Sequence, residues 1–332
     1  MRLSSIFASN MVFAKNQPIR IFGEGKGKAM VTFAGKTKAV ISLEDNWLVE
    51  FPSQDVGGPY QLIFTSNGQE IVLEDIYVGE VYLFAGQSNM QFKVKDGEDE
   101  SSLCESNDKL RLFSTDRIEK TDLYTSKNGW VKAEKKSVEE WSALAYYTGI
   151  KLAKNKNVAV GIISCHQGAS VIESWVRKGL FQENGIELLP NEKHRDHFDE
   201  VFAEWNDDGK LYDFALSQII PFSLSGVVWY QGESDTSIEE AQVYDKELAL
   251  LINLWREDFK NKELPFVIVQ IADYISRNDD AWKRVQEAQY KVQSLLENVK
   301  TVISADVSDN NSIHPPKKNE LAKRIAKAFS TL

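Results

Sequence analysis

Between residues 3 and 75 the apolar positions come in short alternating runs: Pro18-Ile19-Arg20-Ile21-Phe22, Ala29-Met30-Val31-Thr32-Phe33, Lys38-Ala39-Val40-Ile41-Ser42, Trp47-Leu48-Val49-Glu50-Phe51 and Tyr60-Gln61-Leu62-Ile63-Phe64. The runs recur roughly every ten residues, with Gly23, Gly25, Gly27, Gly35 and Gly57-Gly58 between them, which predicts an antiparallel β module. After Asp75 the rhythm changes. Runs rich in valine, isoleucine and aromatics predict strands at 76–85, 158–164, 226–230, 266–271 and 299–305, and amphipathic stretches between them predict helices at 138–155, 238–259, 280–297 and 317–330. Alternating strand and helix is the pattern of a parallel sheet covered on both faces, so a domain boundary is expected at residue 75. The stretch 178–211 is irregular, polar and charged, and reads as a long excursion near the site.

Composition narrows the choice of partners. The 332 residues hold 39 lysines and arginines against 49 aspartates and glutamates, a net charge of −10 that repels nucleic acid and anionic membranes. No apolar run approaches the length of a membrane span. Ser4, Ser5, Asn10, Lys15, Asn16, Gln17 and Arg20 interrupt any apolar leader, so the chain as it stands is expected in the cytoplasm, or outside it if a leader was removed. Two cysteines, Cys104 and Cys165, are too few for a disulfide framework or a structural zinc site, and whether they pair is open.

In open α/β sheets ligands bind beyond the carboxyl ends of strands, and four strand ends here carry polar groups. The first is Gly86-Gln87-Ser88-Asn89-Met90, a serine at a sharp strand-to-helix turn without the second glycine of the hydrolase elbow. The second is Ser164-Cys165-His166-Gln167-Gly168-Ala169-Ser170, whose glycine lets an N–H approach a ligand. The third, Trp229-Tyr230-Gln231-Gly232-Glu233-Ser234-Asp235, packs polar groups against a buried strand and so demands partners for them. The fourth ends in Ile313-His314-Pro315. Other candidates have blander readings. His194 and His197 resemble a metal pair but lack supporting ligands, and Cys165 and His166, adjacent on a strand, point to opposite faces.

Taken together, Gly86-Gln87-Ser88-Asn89-Met90, Trp229-Tyr230-Gln231-Gly232-Glu233-Ser234 and Ile313-His314-Pro315 resemble the sialate O-acetylesterase family, a carbohydrate-esterase branch of the SGNH hydrolases, over nearly the whole chain. The resemblance implies an α/β fold: a flavodoxin-like SGNH hydrolase domain of three layers (α/β/α) at 76–332, preceded by a small β-sandwich-like accessory module at 1–75. It implies a serine esterase that removes O-acetyl groups from carbohydrate through an acetyl-enzyme, with no metal or cofactor. Ser88 matches the nucleophile and His314 the general base; the N–H groups of Ser88 and Gly168, with the side chain of Gln231, match the oxyanion hole. The family's aspartate before the histidine is replaced by Ser312 and Asn311, so Asp309 is expected to orient His314, with Asp306 or a backbone carbonyl as alternatives. Gln87, Asn89 and Glu233 are candidates for support. Trp175 is a candidate to line a sugar pocket, and Arg111 to meet a substrate carboxylate, although a strand arginine is by default structural. The sugar itself, sialic acid or an acetylated glycan such as xylan, is left open, as is the oligomeric state. The alternatives are a carbohydrate-binding protein on a decayed hydrolase scaffold and an SGNH esterase or lipase-like enzyme for other acyl esters.

Overall fold

The computed structural model describes residues 1–97, 104–118, 123–124, 129–189, 205–277, 279–308 and 310–332. The short runs of the N-terminal stretch become strands. β1 (Arg2–Leu3), β3 (Ile19–Glu24) and β6 (Asn46–Phe51) form one antiparallel sheet. β4 (Gly27–Phe33) pairs with β5 (Lys36–Ser42) and β7 (Gly57–Ser66), and β7 and the short β2 (Val12–Ala14) pair with β8 (Gln69–Gly86). Aromatic side chains fill the space between the two sheets: Trp47 of β6 stacks on Phe64 of β7 with ring centroids 5.5 Å apart.

β8 is 18 residues long and belongs to both halves of the chain. Its first part is mostly exposed and pairs antiparallel with β7. Its last nine residues are all buried, and it lies parallel to β13 (Val160–His166) on one side and β14 (Gly226–Tyr230) on the other. The expected boundary at residue 75 therefore falls inside a strand, at Asp75, whose φ is 55°; pairing with β7 continues past it to Val78, and pairing with β13 and β14 begins at Glu80 and Tyr82. One apolar cluster spans the division, and Phe13 stacks on Phe222 at 5.6 Å.

The remaining strands are β9 (Asn107–Ser114), the two-residue pair β10 (Arg117–Ile118) and β11 (Leu123–Tyr124), β12 (Val131–Ala133), β15 (Phe266–Val269) and β16 (Val299–Val302). The large sheet runs β12-β9-β13-β8-β14-β15-β16, parallel except for β12 at its edge. The five strands β13-β8-β14-β15-β16 thus follow a 2-1-3-4-5 order that reverses at β8, the kind of switch point where α/β sheets open a crevice. Side chains alternate between two apolar clusters: Val81, Leu83 and Trp229 enter one, Tyr82, Phe84 and Val228 the other.

Seven α-helices are described: α1 (Ser88–Gln91), α2 (Ala143–Lys156), α3 (Leu180–Glu183), α4 (Ile238–Ala241), α5 (Tyr244–Asp258), α6 (Asp280–Leu295) and α7 (Asn319–Phe329). α5 and α6 supply Leu248, Leu251, Trp255, Val285 and Val292 to the first cluster, whereas α2 and α7 supply Leu144, Ile150, Leu321 and Ile325 to the second. The helix expected at 138–155 starts later. Ser142 caps α2 by accepting the Ala145 N–H at 3.3 Å, and 138–140 form a separate tight turn. The helix expected at 238–259 divides into α4 and α5. No helix among the described residues is long and apolar enough to cross a membrane. Cys104 and Cys165 are both buried, and no disulfide joins them.

Beneath the end of β14, Glu173, Asp235, Glu240 and Glu247 are each at least nine-tenths buried. Asp235 accepts the Ile172 N–H at 3.0 Å, tying the loop after β13 to the loop after β14. Burial pushes the Asp235 and Glu247 carboxyls well up, and the neighbouring carboxyls Glu240 and Glu173 add to the shift for both. Above the ordinary carboxylate range the folded chain thus keeps protons that the unfolded chain releases. Stability then falls as pH rises through the raised values. Urea midpoints should decline from pH 5 to pH 8, and Glu247→Gln should flatten that decline by raising the midpoint at pH 8 more than at pH 5; parallel curves for the two proteins would contradict it.

Candidate active site

The site forms where β8 ends. Gly86 is paired on both sides, with His166 of β13 and Tyr230 of β14, and its φ of 138° with a Cβ-free surface against the Tyr230 carbonyl admits only glycine. The chain then turns directly into α1, so Ser88 stands at the first helical position, where an amide has no partner within the helix. Gln87 secures the turn: its N–H donates to Tyr230 O at 3.0 Å, and its Oε1 accepts the N–H groups of Gly232 at 3.1 Å and Ser234 at 3.4 Å. The first and third motifs are thereby sewn together through backbone amides.

His314 arrives from the loop between β16 and α7, and its Nε2 lies 2.8 Å from Ser88 Oγ. Ser312 Oγ shapes that loop by accepting the His314 N–H at 3.1 Å. Asn89 fixes the loop to the end of β8. Its Nδ2 donates to Ile313 O at 2.8 Å and to Glu233 Oε1 at 2.6 Å, while its Oδ1 accepts from Lys318 Nζ at 2.6 Å. The amide thus sits between a buried carboxyl and a buried ammonium. Burial raises the Glu233 pKa. The Lys318 ammonium lies over the Phe92 and Tyr230 rings at 5.1 and 5.3 Å, which helps to hold a charge with no exposed surface. Burial, and then the Lys318 charge, keep the His314 imidazole below its ordinary value of 6.5. A neutral imidazole within hydrogen-bond reach of a hydroxyl is equipped to take its proton.

Gly168 lies beside Ser88: a Cβ built on it would sit 3.8 Å from the Ser88 Cβ. Its N–H donates to Gln91 Oε1 at 2.9 Å, so an acceptor already occupies the place in front of that amide.

Three expected residues are placed elsewhere. Gln231 has both amide N–H groups taken up, by Ser170 O at 2.8 Å and by Asp235 Oδ2, and its Oε1 accepts from Tyr244 OH at 2.9 Å. No donor is left for an oxyanion, and its role is to brace the buried side of the loop. Trp175 is fully buried, edge-on to Trp229 at 5.9 Å, with its indole N–H on Ser170 Oγ at 2.9 Å; it belongs to the core instead of a sugar pocket. Arg111 pairs with Gly161 and lies five positions back along β8 from Gly86, far down the sheet. Its guanidinium is held by Asp75 at 3.1 Å and by Asp108 O, and stacks over Tyr77, so it meets no substrate. Of the alternatives for orienting His314, Asp306 is bound by Arg324 through two bonds of 2.7 and 2.8 Å. Asp309 lies outside the described residues, as do His194 and His197.

Two contributors were not singled out from the sequence: Gln91, one helical turn after Gln87, and Lys318, one turn after His314. A lysine just before the first turn of α7, where the helix dipole disfavours a cation, was the available signal for the second.

Residues 78–331 match the family described as carbohydrate esterase, sialic acid-specific acetylesterase. The chain is 25% identical to the human sialate O-acetylesterase over 98% of its length and 69% of that protein, and 24% identical to the sialate O-acetylesterase of Pongo abelii over the same shares. In structure it resembles a carbohydrate acetylesterase from Xanthomonas citri, with a TM-score of 0.84 and 26% identity over 98% of this chain and 74% of that one. With a hydroxyl and an imidazole joined at the head of the switch strand, and a match extending over most of its length, this chain belongs to the sialic acid-specific acetylesterase family of carbohydrate esterases and is a carboxylic ester hydrolase.

Proposed function

We propose that the chain removes O-acetyl groups from carbohydrate by a serine mechanism on an SGNH-type three-layer α/β/α scaffold, with residues 1–75 as an accessory β-sandwich-like module. The observation that carries this reading is the 2.8 Å approach of His314 Nε2 to Ser88 Oγ. Ser88 Oγ attacks the acetyl carbonyl carbon while its proton passes to Nε2. The tetrahedral adduct collapses as the bond to the sugar oxygen breaks, and the imidazole returns the proton to that oxygen. Water then repeats the sequence on the acetyl-enzyme, releasing acetate and restoring the hydroxyl.

The N–H groups of Ser88 and Gly168 are the donors for the developing oxyanion, which takes over the Gly168 N–H from Gln91 Oε1. Fixed donors of this kind are each worth about 10²–10³ in turnover. Asp309 is our candidate to accept the Nδ1–H of His314, so that Nε2 faces the serine unprotonated.

Acetate release from O-acetylated sialic acid and from acetylated xylan, measured for the wild type and for Ser88→Ala and His314→Ala, tests the assignment and separates the two sugars. Each substitution should lower kcat by at least about 10³-fold on the substrate that is cleaved. Turnover surviving in Ser88→Ala would exclude the acetyl-enzyme. Asn89→Ala unpins Ile313 and should reduce kcat by about 10- to 100-fold with less change in KM, since displacing a reacting group by an ångström is that costly; an unchanged kcat would show that the clamp is dispensable. Because the histidine pKa is depressed, the base stays unprotonated into acid solution. The acid limb of kcat/KM should therefore lie below pH 6.5, and Lys318→Met should move it part of the way back up. A limb at or above 6.5 in the wild type would place another group in control.

A further inference from the structure

A cavity of about 210 Å³ lies at the carboxyl ends of β9 and β13, lined by Gln91, Lys93, Leu112, Ser114, Thr115, Arg117, Glu140, Trp141, Ser142, Ser164 and His166. It shares a wall with the candidate active site. Gln91, which lines it, holds the N–H of Gly168, and His166 is paired with Gly86, two residues before Ser88. Alternation along β13 sends Cys165 into one apolar cluster and leaves Ser164 and His166 facing the cavity.

Its lining is unusual for the interior of a protein. Ser164 is 4% exposed and its Oγ has no hydrogen-bond partner; His166 is half-buried, but its Nδ1 is buried and likewise without a partner. Leaving a buried hydroxyl or ring nitrogen unpaired is costly, a cost that a folded chain tolerates where a ligand supplies the partner. Burial drives the His166 pKa down to about 3, so the ring stays neutral and serves as a hydrogen-bonding group. Trp141 contributes an aromatic surface beside these polar atoms. The volume is below the roughly 300–1,000 Å³ of sites for drug-sized ligands, yet well above the ~30 Å³ share of one water, which suits a single hydroxylated ring.

We propose that this cavity is a subsite for one sugar unit of the ester, with Ser164 Oγ and His166 Nδ1 bonding its hydroxyls and Trp141 flanking the ring. The assignment rests on the carbohydrate-esterase reading for its ligand class, but binding needs no chemistry, and the test uses that. The unesterified sugars N-acetylneuraminic acid and xylose are titrated into the full-length protein and into Ser164→Ala and Ser164→Val, with thermal unfolding followed for each. The first substitution enlarges the cavity and the second fills it; both delete the hydroxyl.

At least one sugar should bind the wild type, and both variants should weaken it about tenfold, the usual cost of a lost hydrogen bond; which sugar binds identifies the source. Ser164→Ala binding as tightly as the wild type, or neither sugar binding, would overturn the assignment. A protein that binds sugar through Ser164 but releases no acetate would uphold the subsite while ending the serine-esterase reading.

Discussion

The imidazole of His314 is carried by a loop, 226 residues from the hydroxyl it meets, and the site depends on that loop being held in place. Backbone pairing supports the serine from both sides, because Gly86 is bonded into β13 and β14 at once. The histidine has no such support. Its position relies on the bond from Asn89 to Ile313 O, and Asn89 in turn is gripped by Glu233 and Lys318. One amide side chain, next to the serine in sequence, therefore transmits the rigidity of the sheet to the base.

Burying this clamp is expensive unless its polar atoms are paired, and the amide is suited to the task because it donates on one side and accepts on the other. The same economy explains Gln231. It lies on the side of the loop that faces α5, where Tyr244 and Asp235 await it, so its polar atoms close a buried network that joins the loops after β13 and β14. The motif after β14 thus works in two directions. Glu233 supports the catalytic face through Asn89, while Gln231 and Asp235 anchor the opposite one.

The reversal of strand order at β8 gives the crevice its two walls, one from β13 and one from β14. The wall from β13 carries both the Gly168 amide and the polar cavity beside it, so the group proposed to stabilise charge and the groups proposed to recognise the sugar are set by a single strand end.

Much of this was legible in the chain itself. The strand runs at 226–230 and in the N-terminal stretch and the helices from 280 and near 319 follow from local patterns, because apolar period is a property of neighbouring residues, whereas the pairing of Ser88 with His314 was legible through the resemblance of three separate motifs to a known family. What the sequence could not settle was which way a side chain turns. Gln231, Trp175 and Arg111 are residue types that serve substrates and cores equally well, and their fates were decided by partners distant in sequence: Tyr244, Trp229 and Asp75. Residue 75 looked like a boundary because the hydrophobic period changes there, yet the strand continues through it, since β7 pairs with β8 on both sides of that residue. Local chemistry determined the elements, and the resemblance of the motifs pointed to the hydroxyl and imidazole that meet. Burial and hydrogen bonding between distant segments, which no short-range pattern encodes, determined the face each polar group presents.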